Sequence, residues 1–115
     1  MSKSDYILSV SEPWDFEGPD GENVIYGRIV KEVTNNCLIF ESNNPVSIDN
    51  VTGSVFVAFG RHDGYDFEYS VKKDGIWSAN IGLYTSDDEL YLNMNSKELM
   101  EHSKYVIIGS VKKLS

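Results

Sequence analysis

The chain has 115 residues, of which 41% are hydrophobic and 24% are charged, and this is the size and composition of a single folded domain. A net charge of −8 disfavours nucleic-acid binding, which needs clustered Lys and Arg, and the one cysteine, Cys37, excludes an internal disulfide. The apolar runs are too short to span a membrane and the N-terminus lacks the apolar region of a secretory signal, so we expect one cytoplasmic domain over residues 1–115.

Short β-rich segments separated by Gly, Asn and Asp predict strands along most of the chain. The second segment is long and has Gly27 at its centre, where a glycine indicates a bulge or a close approach of the backbone. Residues 54–60 are apolar on both faces, as in a central strand, whereas residues 65–71 alternate strictly. The predicted strands cover residues 5–10, 23–33, 37–42, 54–60, 65–71, 76–85, 90–95 and 104–114, with a short edge piece at 46–48.

One helix is predicted, and it lies late in the chain. The stretch 86–89 has the spacing of a capping box, but the alternation over residues 90–95 favours a strand at that point. Asn95 can then cap a helix over residues 96–103, with Glu98 at its third position. A helix of about two turns must pack against the sheet to persist.

These elements predict a mainly β fold, an antiparallel sandwich or half-barrel of seven or eight strands with one short helix near residues 96–103. A βαβ arrangement does not fit, because helices do not alternate with the strands. Cys37 lies in an apolar run and is predicted to be a small buried thiol. The residues expected to be largely buried are Ile25 or Tyr26, Ile29, Val55, Val57, Phe59, Phe67, Trp77, Ile81, Ile107 and Val111.

No pattern in the sequence identifies a reaction or a cofactor. His62 and His102 are far apart and there is no second cysteine, so a thiolate zinc site of the usual spacing is excluded. Residues 15–22 superficially resemble a calcium loop, but the third acid and its glycine are one position late. Asp66 and Glu68 have a separation of about 7 Å, which suits an acid–base pair and equally a solvated sheet face. We predict no metal, no cofactor and no catalytic residue.

The most unusual stretch is SEPWDFEGPDGEN at residues 11–23, which holds five carboxylates and two large aromatic side chains without any Lys or Arg. Carboxylates without compensating charge need solvent, so the loop is expected to stay exposed. One of Trp14 and Phe16 is expected to close an end of the sheet, and the other to be accessible as an anchor for a partner. The predicted partner-binding residues are Trp14, Asp15, Phe16, Glu17, Asp20, Glu22, Asp87 and Asp88.

The acidic stretch at residues 86–89 would enlarge this surface if both loops lie at one end of the sheet. Basic residues of the chain itself could neutralise part of the charge, and a basic partner could neutralise the rest. The four candidate internal bases are Arg28, Lys31, Lys112 and Lys113. A negative rim around aromatic side chains would capture a basic partner quickly by electrostatic steering.

The stretch SVSEPWDFEGPDGENVIYGRIV, residues 9–30, resembles the small acidic single-domain immunity proteins that bacteria pair with secreted toxin domains. The features that carry the resemblance are a strand, a Trp-Asp-Phe loop and a long strand containing glycine, over the first third of the chain. The resemblance implies a protein that blocks the active site of a toxin. Many such toxins are basic nucleases, which would fit the negative charge. No individual site residue carries over.

We expect a protein-binding module whose partner is basic, with a toxin domain such as a nuclease as the candidate. Two other function classes remain open. A small-ligand or carbohydrate-binding β-domain would use Trp14, Trp77 and the tyrosines, and a deep apolar cavity would favour it. An enzyme would be favoured by carboxylates with perturbed pKa values that meet in one cleft.

Overall fold

The structure is a computed structural model that describes residues 6–12, 16–18, 21, 23–34, 37–48, 50–60, 76–85 and 90–113. These residues contain six strands, one 3-10 helix and one α-helix. The 3-10 helix covers Leu90–Asn93 and helix α1 covers Ser96–Glu101. The strands are β1 (Tyr6–Glu12), β2 (Val24–Thr34), β3 (Cys37–Ile48), β4 (Val51–Gly60), β5 (Ile76–Tyr84) and β6 (Ser103–Lys113).

The six strands form a closed antiparallel barrel. Each strand pairs with the next one in the chain, and β6 pairs with β1. Leu8 of β1 therefore stands opposite Ile25 of β2 on one side and Val111 of β6 on the other. The predicted mainly β, antiparallel architecture with one short helix near residues 96–103 is confirmed. Closure of the barrel pairs the two strands that would otherwise be the edges of the sheet.

Strand β3 is longer than the sequence predicts. The pieces expected at residues 37–42 and 46–48 belong to one strand, and its pairing with β4 shifts in register between Glu41 and Val46. The irregularity explains why the turn-rich residues between the two pieces do not end the strand. The strand predicted at residues 65–71 lies outside the described residues.

The strand predicted at residues 90–95 is wrong. Residues 90–93 form a 3-10 helix, in which Tyr91 is buried while Leu90 and Leu92 are exposed. The ring of Tyr91 packs edge to face against the ring of Tyr84, with centroids 5.2 Å apart. Packing of this ring against the barrel thus overrides the alternation of apolar residues that suggested a strand.

Side chains from all six strands fill the barrel interior. Phe40 of β3 and Phe56 of β4 are in edge contact there, with ring centroids 6.2 Å apart. A ligand in the interior would have to displace these packed side chains. The buried residues of this interior cluster are Leu8, Val10, Phe16, Ile25, Leu38, Phe40, Val46, Phe56, Ala58, Ile81, Leu83, Ile107 and Val111.

A second apolar cluster lies on the outer face of β2 to β5, beneath the 3-10 helix and α1. Its buried members are Cys37, Ile39, Val57, Tyr84, Tyr91 and Leu99. Successive residues of a strand point to opposite faces, so Leu38 and Phe40 enter the interior while Cys37 and Ile39 enter the outer cluster. The two clusters explain why the sequences of β3 and β4 are apolar on both faces.

The expected core is largely reproduced in the described part of the chain. Burial is confirmed for Cys37, Ile25, Val57, Ile81, Ile107 and Val111. Three further residues, Ile29, Val55 and Phe59, are only half-buried and pack against the two clusters. Phe67 and the side chain of Trp77 lie outside the description.

Two glycines allow the strands to approach each other closely. A Cβ built on Gly27 would overlap the carbonyl oxygen of Glu41 in β3, and one on Gly109 would overlap the carbonyl oxygen of Ser9 in β1. The close approach predicted at Gly27 is therefore confirmed. Strongly curved sheets of small barrels commonly place glycine at such positions.

Helix α1 begins with the predicted cap. The side chain of Asn95 accepts a hydrogen bond from the Glu98 backbone at 2.8 Å, and Glu98 Oε1 accepts one from the Asn95 backbone at 3.2 Å. This reciprocal capping box fixes the start of a helix that is too short to form alone. Within the described ranges, no helix is long and apolar enough to cross a membrane.

Candidate functional site

The up-and-down strand order brings three acidic connections to one end of the barrel. At this end β1, β3 and β5 finish and β2, β4 and β6 begin. The connections at this end, residues 13–23, 49–50 and 85–102, contain ten Asp or Glu and one basic residue, Lys97. The segments that precede β1, connect β2 with β3 and β4 with β5, and follow β6 are residues 1–5, 35–36, 61–75 and 114–115, and their sequences contain five acidic and four basic residues. We call the end with the first set of connections the acidic end.

The two most acidic connections are neighbours around the rim of the barrel. Strand β6 pairs with β1, so the connection that leaves β5 and the connection between β1 and β2 are separated only by that strand pair. The sequence does not show whether these two connections are neighbours. In an open sheet β1 and β6 would lie at opposite edges, whereas closure of the barrel pairs them and makes the connections neighbours.

The described part of the loop between β1 and β2 folds over the barrel end. Phe16 has 8% of its surface exposed and belongs to the interior cluster, whereas Glu17 is exposed. Gly18 donates a backbone hydrogen bond to Gly21 at 3.1 Å, and a Cβ at Gly18 would lie 3.0 Å from the Phe16 ring. Phe16 is therefore a plug for the acidic end, with an acid beside it in solvent.

The base of the same loop is closed by a pair of hydrogen bonds between β1 and the residue before β2. Val10 donates from its backbone to the carbonyl oxygen of Asn23 at 2.8 Å, and the Asn23 side chain donates back to the Val10 carbonyl at 3.3 Å. The loop thus leaves the barrel from a fixed base.

The predicted site residues divide into two groups. Phe16 and Glu17 are described, the first in the interior and the second at the surface. The others lie outside the described residues, namely Trp14, Asp15, Asp20, Glu22, Asp87 and Asp88. Their chain positions place them within the two connections that leave from the acidic end.

The four internal bases are all engaged or located away from this end. Arg28 forms an ion pair with Glu41 on the barrel wall, at 2.8 Å. Lys31 donates from Nζ to the carbonyl oxygen of Leu92 at 3.0 Å. Lys112 and Lys113 stand opposite the first residues of β1, at the other end of the barrel. Arg28, Lys112 and Lys113 therefore make their described contacts and pairings away from the acidic end, and Lys31 reaches the connection between β5 and β6 at a backbone carbonyl oxygen.

The sequence reasoning missed one surface feature. Leu90, Leu92 and Met100 are exposed, although the predicted strand and helix gave no reason to expect this. Residues 90–96 contain no charge that would signal the exposure of the two leucines, which follows from the burial of Tyr91 against the ring of Tyr84.

Other chemistry has little support in the described part of the chain. Those residues contain no group of three or more His, Cys, Asp or Glu side chains that could hold a metal ion. Burial raises the pKa of the Cys37 thiol to about 12, so the thiol is protonated at neutral pH and is a poor nucleophile.

Comparison of the chain with protein-family models, with curated proteins and with solved structures finds no match.

Proposed function

We propose that this protein is a binding module that captures a basic protein partner at the acidic end of its barrel. The observation that carries the proposal is the charge segregation: the connections that join the strands at one end contain ten acidic residues and one basic residue. Arg28 makes its ion pair on the barrel wall, and Lys31 contacts a backbone carbonyl oxygen, that of Leu92, and not a carboxylate.

Uncompensated charge of this density is unfavourable in the free protein, because the carboxylates repel one another. A basic surface that approaches this end relieves the repulsion and is attracted before contact, over roughly the Debye length of 8–10 Å at physiological salt. Such steering raises association rates more than it raises affinity, which suits a protein that must reach its partner before the partner acts.

The candidate partner class is a toxin domain, in particular a basic nuclease, that this protein neutralises. The resemblance of residues 9–30 to small acidic immunity proteins supports this class, and so does the sign of the charge. A nuclease active site is basic because it must hold phosphates, so an acidic surface can occupy the place of the substrate.

The experiment is a capture from the native host with three immobilised baits, followed by identification of bound proteins and measurement of direct binding. The baits are the wild type, the pair Asp15→Lys with Glu17→Lys, and the matched pair Asp5→Lys with Asp63→Lys, which makes the same charge change in the segments that precede β1 and follow β4. A basic partner retained by the wild type and the matched control, but lost from the first pair, supports the proposal. Retention of the same protein by all three baits contradicts it.

The toxin assignment is tested separately. If the partner is a nuclease, equimolar addition of the protein should abolish its nucleic-acid cleavage, and co-expression should restore growth of cells that produce it. A partner that binds at the acidic end but has no toxic activity would retain the binding function and exclude the toxin class.

A further inference from the structure

The described residues expose three large hydrophobic side chains, and all of them lie in the connection between β5 and β6. The exposed fractions are 57% for Leu90, 40% for Leu92 and 50% for Met100. We call residues 90–101, which contain the 3-10 helix and α1, the helical segment. A single exposed apolar residue is ordinary on a protein surface. Here the three large exposed apolar side chains of the described residues all belong to the helical segment, which distinguishes this segment from the rest of the described surface.

The helical segment is held firmly on the barrel. Tyr91 and Leu99 are its two buried anchors in the outer cluster, and Asn95 and Glu98 close the capping box between them. Lys31 of β2 bonds the Leu92 carbonyl oxygen from the side. Leu90 and Leu92 flank one anchor and Met100 follows the other, so these side chains project from a pre-ordered support. A preordered contact surface loses little conformational entropy when it binds.

The charges around these side chains are of one dominant sign. Asp87, Asp88 and Glu89 precede the segment directly in the sequence. Within it Glu98 and Glu101 are exposed, as is Lys97, and the exposed Lys31 of β2 contacts the segment at Leu92, so five acids stand against two bases. Apolar anchors inside a charged rim are the usual composition of a protein interface. The negative rim specifies a partner surface that is apolar at its centre and carries Lys and Arg around it.

We propose that the helical segment supplies the apolar contacts of the interface, with Leu90, Leu92 and Met100 seated against the basic partner of the acidic end. This inference rests on the proposed function and identifies the source of the binding affinity. The carboxylates of the acidic end attract the partner, and the apolar side chains of the helical segment slow its dissociation.

The test is a titration of the isotopically labelled protein, followed by NMR, with two synthetic peptides that carry equal numbers of lysines. In one peptide the remaining residues are leucine, and in the other they are serine. The leucine peptide should bind about tenfold more tightly and should shift the amide signals of residues 90–101. The triple variant Leu90→Ser, Leu92→Ser, Met100→Ser should abolish that difference, whereas Ile108→Ser, on the barrel wall, should preserve it.

The outcomes separate this inference from the proposed function. Equal binding of both peptides, with shifts centred on Glu17 and Gly18, would overturn the inference and leave capture at the acidic end intact. Failure of both peptides to bind at low salt would count against the proposed function as well. A wild-type dimer that the triple variant converts to a monomer, measured by sedimentation, would assign the helical segment to a second copy of the chain and overturn the inference. Shift mapping on the wild type gives an answer even if the triple variant does not fold.

Discussion

Gly27 of β2 lies so close to Glu41 of β3 that any Cβ at position 27 would overlap the Glu41 carbonyl oxygen. The same Cβ would lie 2.7 Å from the ring of Phe40, so the Phe40 ring in the barrel interior would also have to move. Relief would require the two strands to separate where Gly27 stands opposite Ser42. The close approach of β2 and β3 at this point therefore requires glycine, which has no Cβ, at position 27.

Gly27→Ala should therefore lower the free energy of unfolding by about 3 kcal/mol, at the upper end of overpacking costs, because backbone atoms must move. Gly53→Ala is the matched control, since a Cβ there would meet the Leu83 side chain at 3.4 Å, which is ordinary contact. Its effect should lie within about 1 kcal/mol of the wild type. Denaturant unfolding measures both. Equal costs for the two variants would show that the strands are not closely apposed at Gly27.

The adjacent pair Leu99 and Met100 tests the docking of the helical segment. Leu99 is fully buried in the outer cluster and Met100 is half exposed. Leu99→Ala should cost about 2–5 kcal/mol, from lost transfer free energy and the cavity left behind. Met100→Ala should cost less than about 0.5 kcal/mol. The measurement is the free energy of unfolding in urea, and a reversal of the order would mean that the helix presents its other face to the barrel.

The sequence predicts local structure here better than it predicts closure. Residues 23–33 were recognisable as a strand because they are β-branched, and the capping box is visible in the spacing of Asn95 and Glu98. The pairing of β1 with β6 joins residues about one hundred positions apart. No turn or periodic pattern encodes such a contact, because it results from the curvature of the whole sheet.

In the candidate site, too, local features can be predicted from the sequence, whereas features that depend on tertiary packing cannot. The acidic and aromatic content of residues 11–23 is evident in the sequence, and so is the expectation that one aromatic closes a barrel end. Burial of Phe16 agrees with that expectation. The exposure of Leu90 and Leu92 could not be predicted, since it follows from the burial of Tyr91 against Tyr84 across the outer face. The packing of the Tyr91 ring against the barrel thus determines that Leu90 and Leu92, on either side of it, face the solvent.

Asn95→Ala should lower the free energy of unfolding by about 1 kcal/mol, because it removes the side-chain acceptor of the Glu98 backbone N–H. Asn95→Asp keeps an acceptor at the same place and should retain stability. Asn93→Ala, at the exposed last residue of the 3-10 helix, is the positional control and should change stability by less than about 0.5 kcal/mol. A loss for Asn95→Asp as large as that for Asn95→Ala would argue against capping as the cause.

Cys37 gives the stability a specific dependence on alkaline pH. Burial raises the pKa of its thiol from the ordinary value of 9.0 to about 12. The stability contributed by the neutral thiol is complete below pH 9 and is lost as the pH rises from 9 through 12, since only the unfolded chain then ionises readily. The slope should approach about 1.4 kcal/mol per pH unit.

Cys37→Ala should lack this additional slope, and the difference between the two pH profiles isolates Cys37 from the tyrosines and lysines that titrate in the same range. Native protein should also react with thiol reagents far more slowly than urea-unfolded protein at pH 8. Rapid labelling under native conditions would show that the thiol is accessible.

The last prediction concerns the electrostatic contribution of the acidic end to binding. Glu17 is exposed beside the buried plug Phe16, so it can be reversed in charge without disturbing the interior. Glu17→Lys should slow association with the captured basic partner several-fold at low salt and reduce the dependence of the association rate on ionic strength. Asp5→Lys, in the segment that precedes β1, changes the net charge equally and should have a much smaller effect. Stopped-flow or surface-based kinetics at several salt concentrations would measure both. If the two variants slow association to the same extent, net charge alone governs the encounter, and the segregation of acids to one end has no role in it.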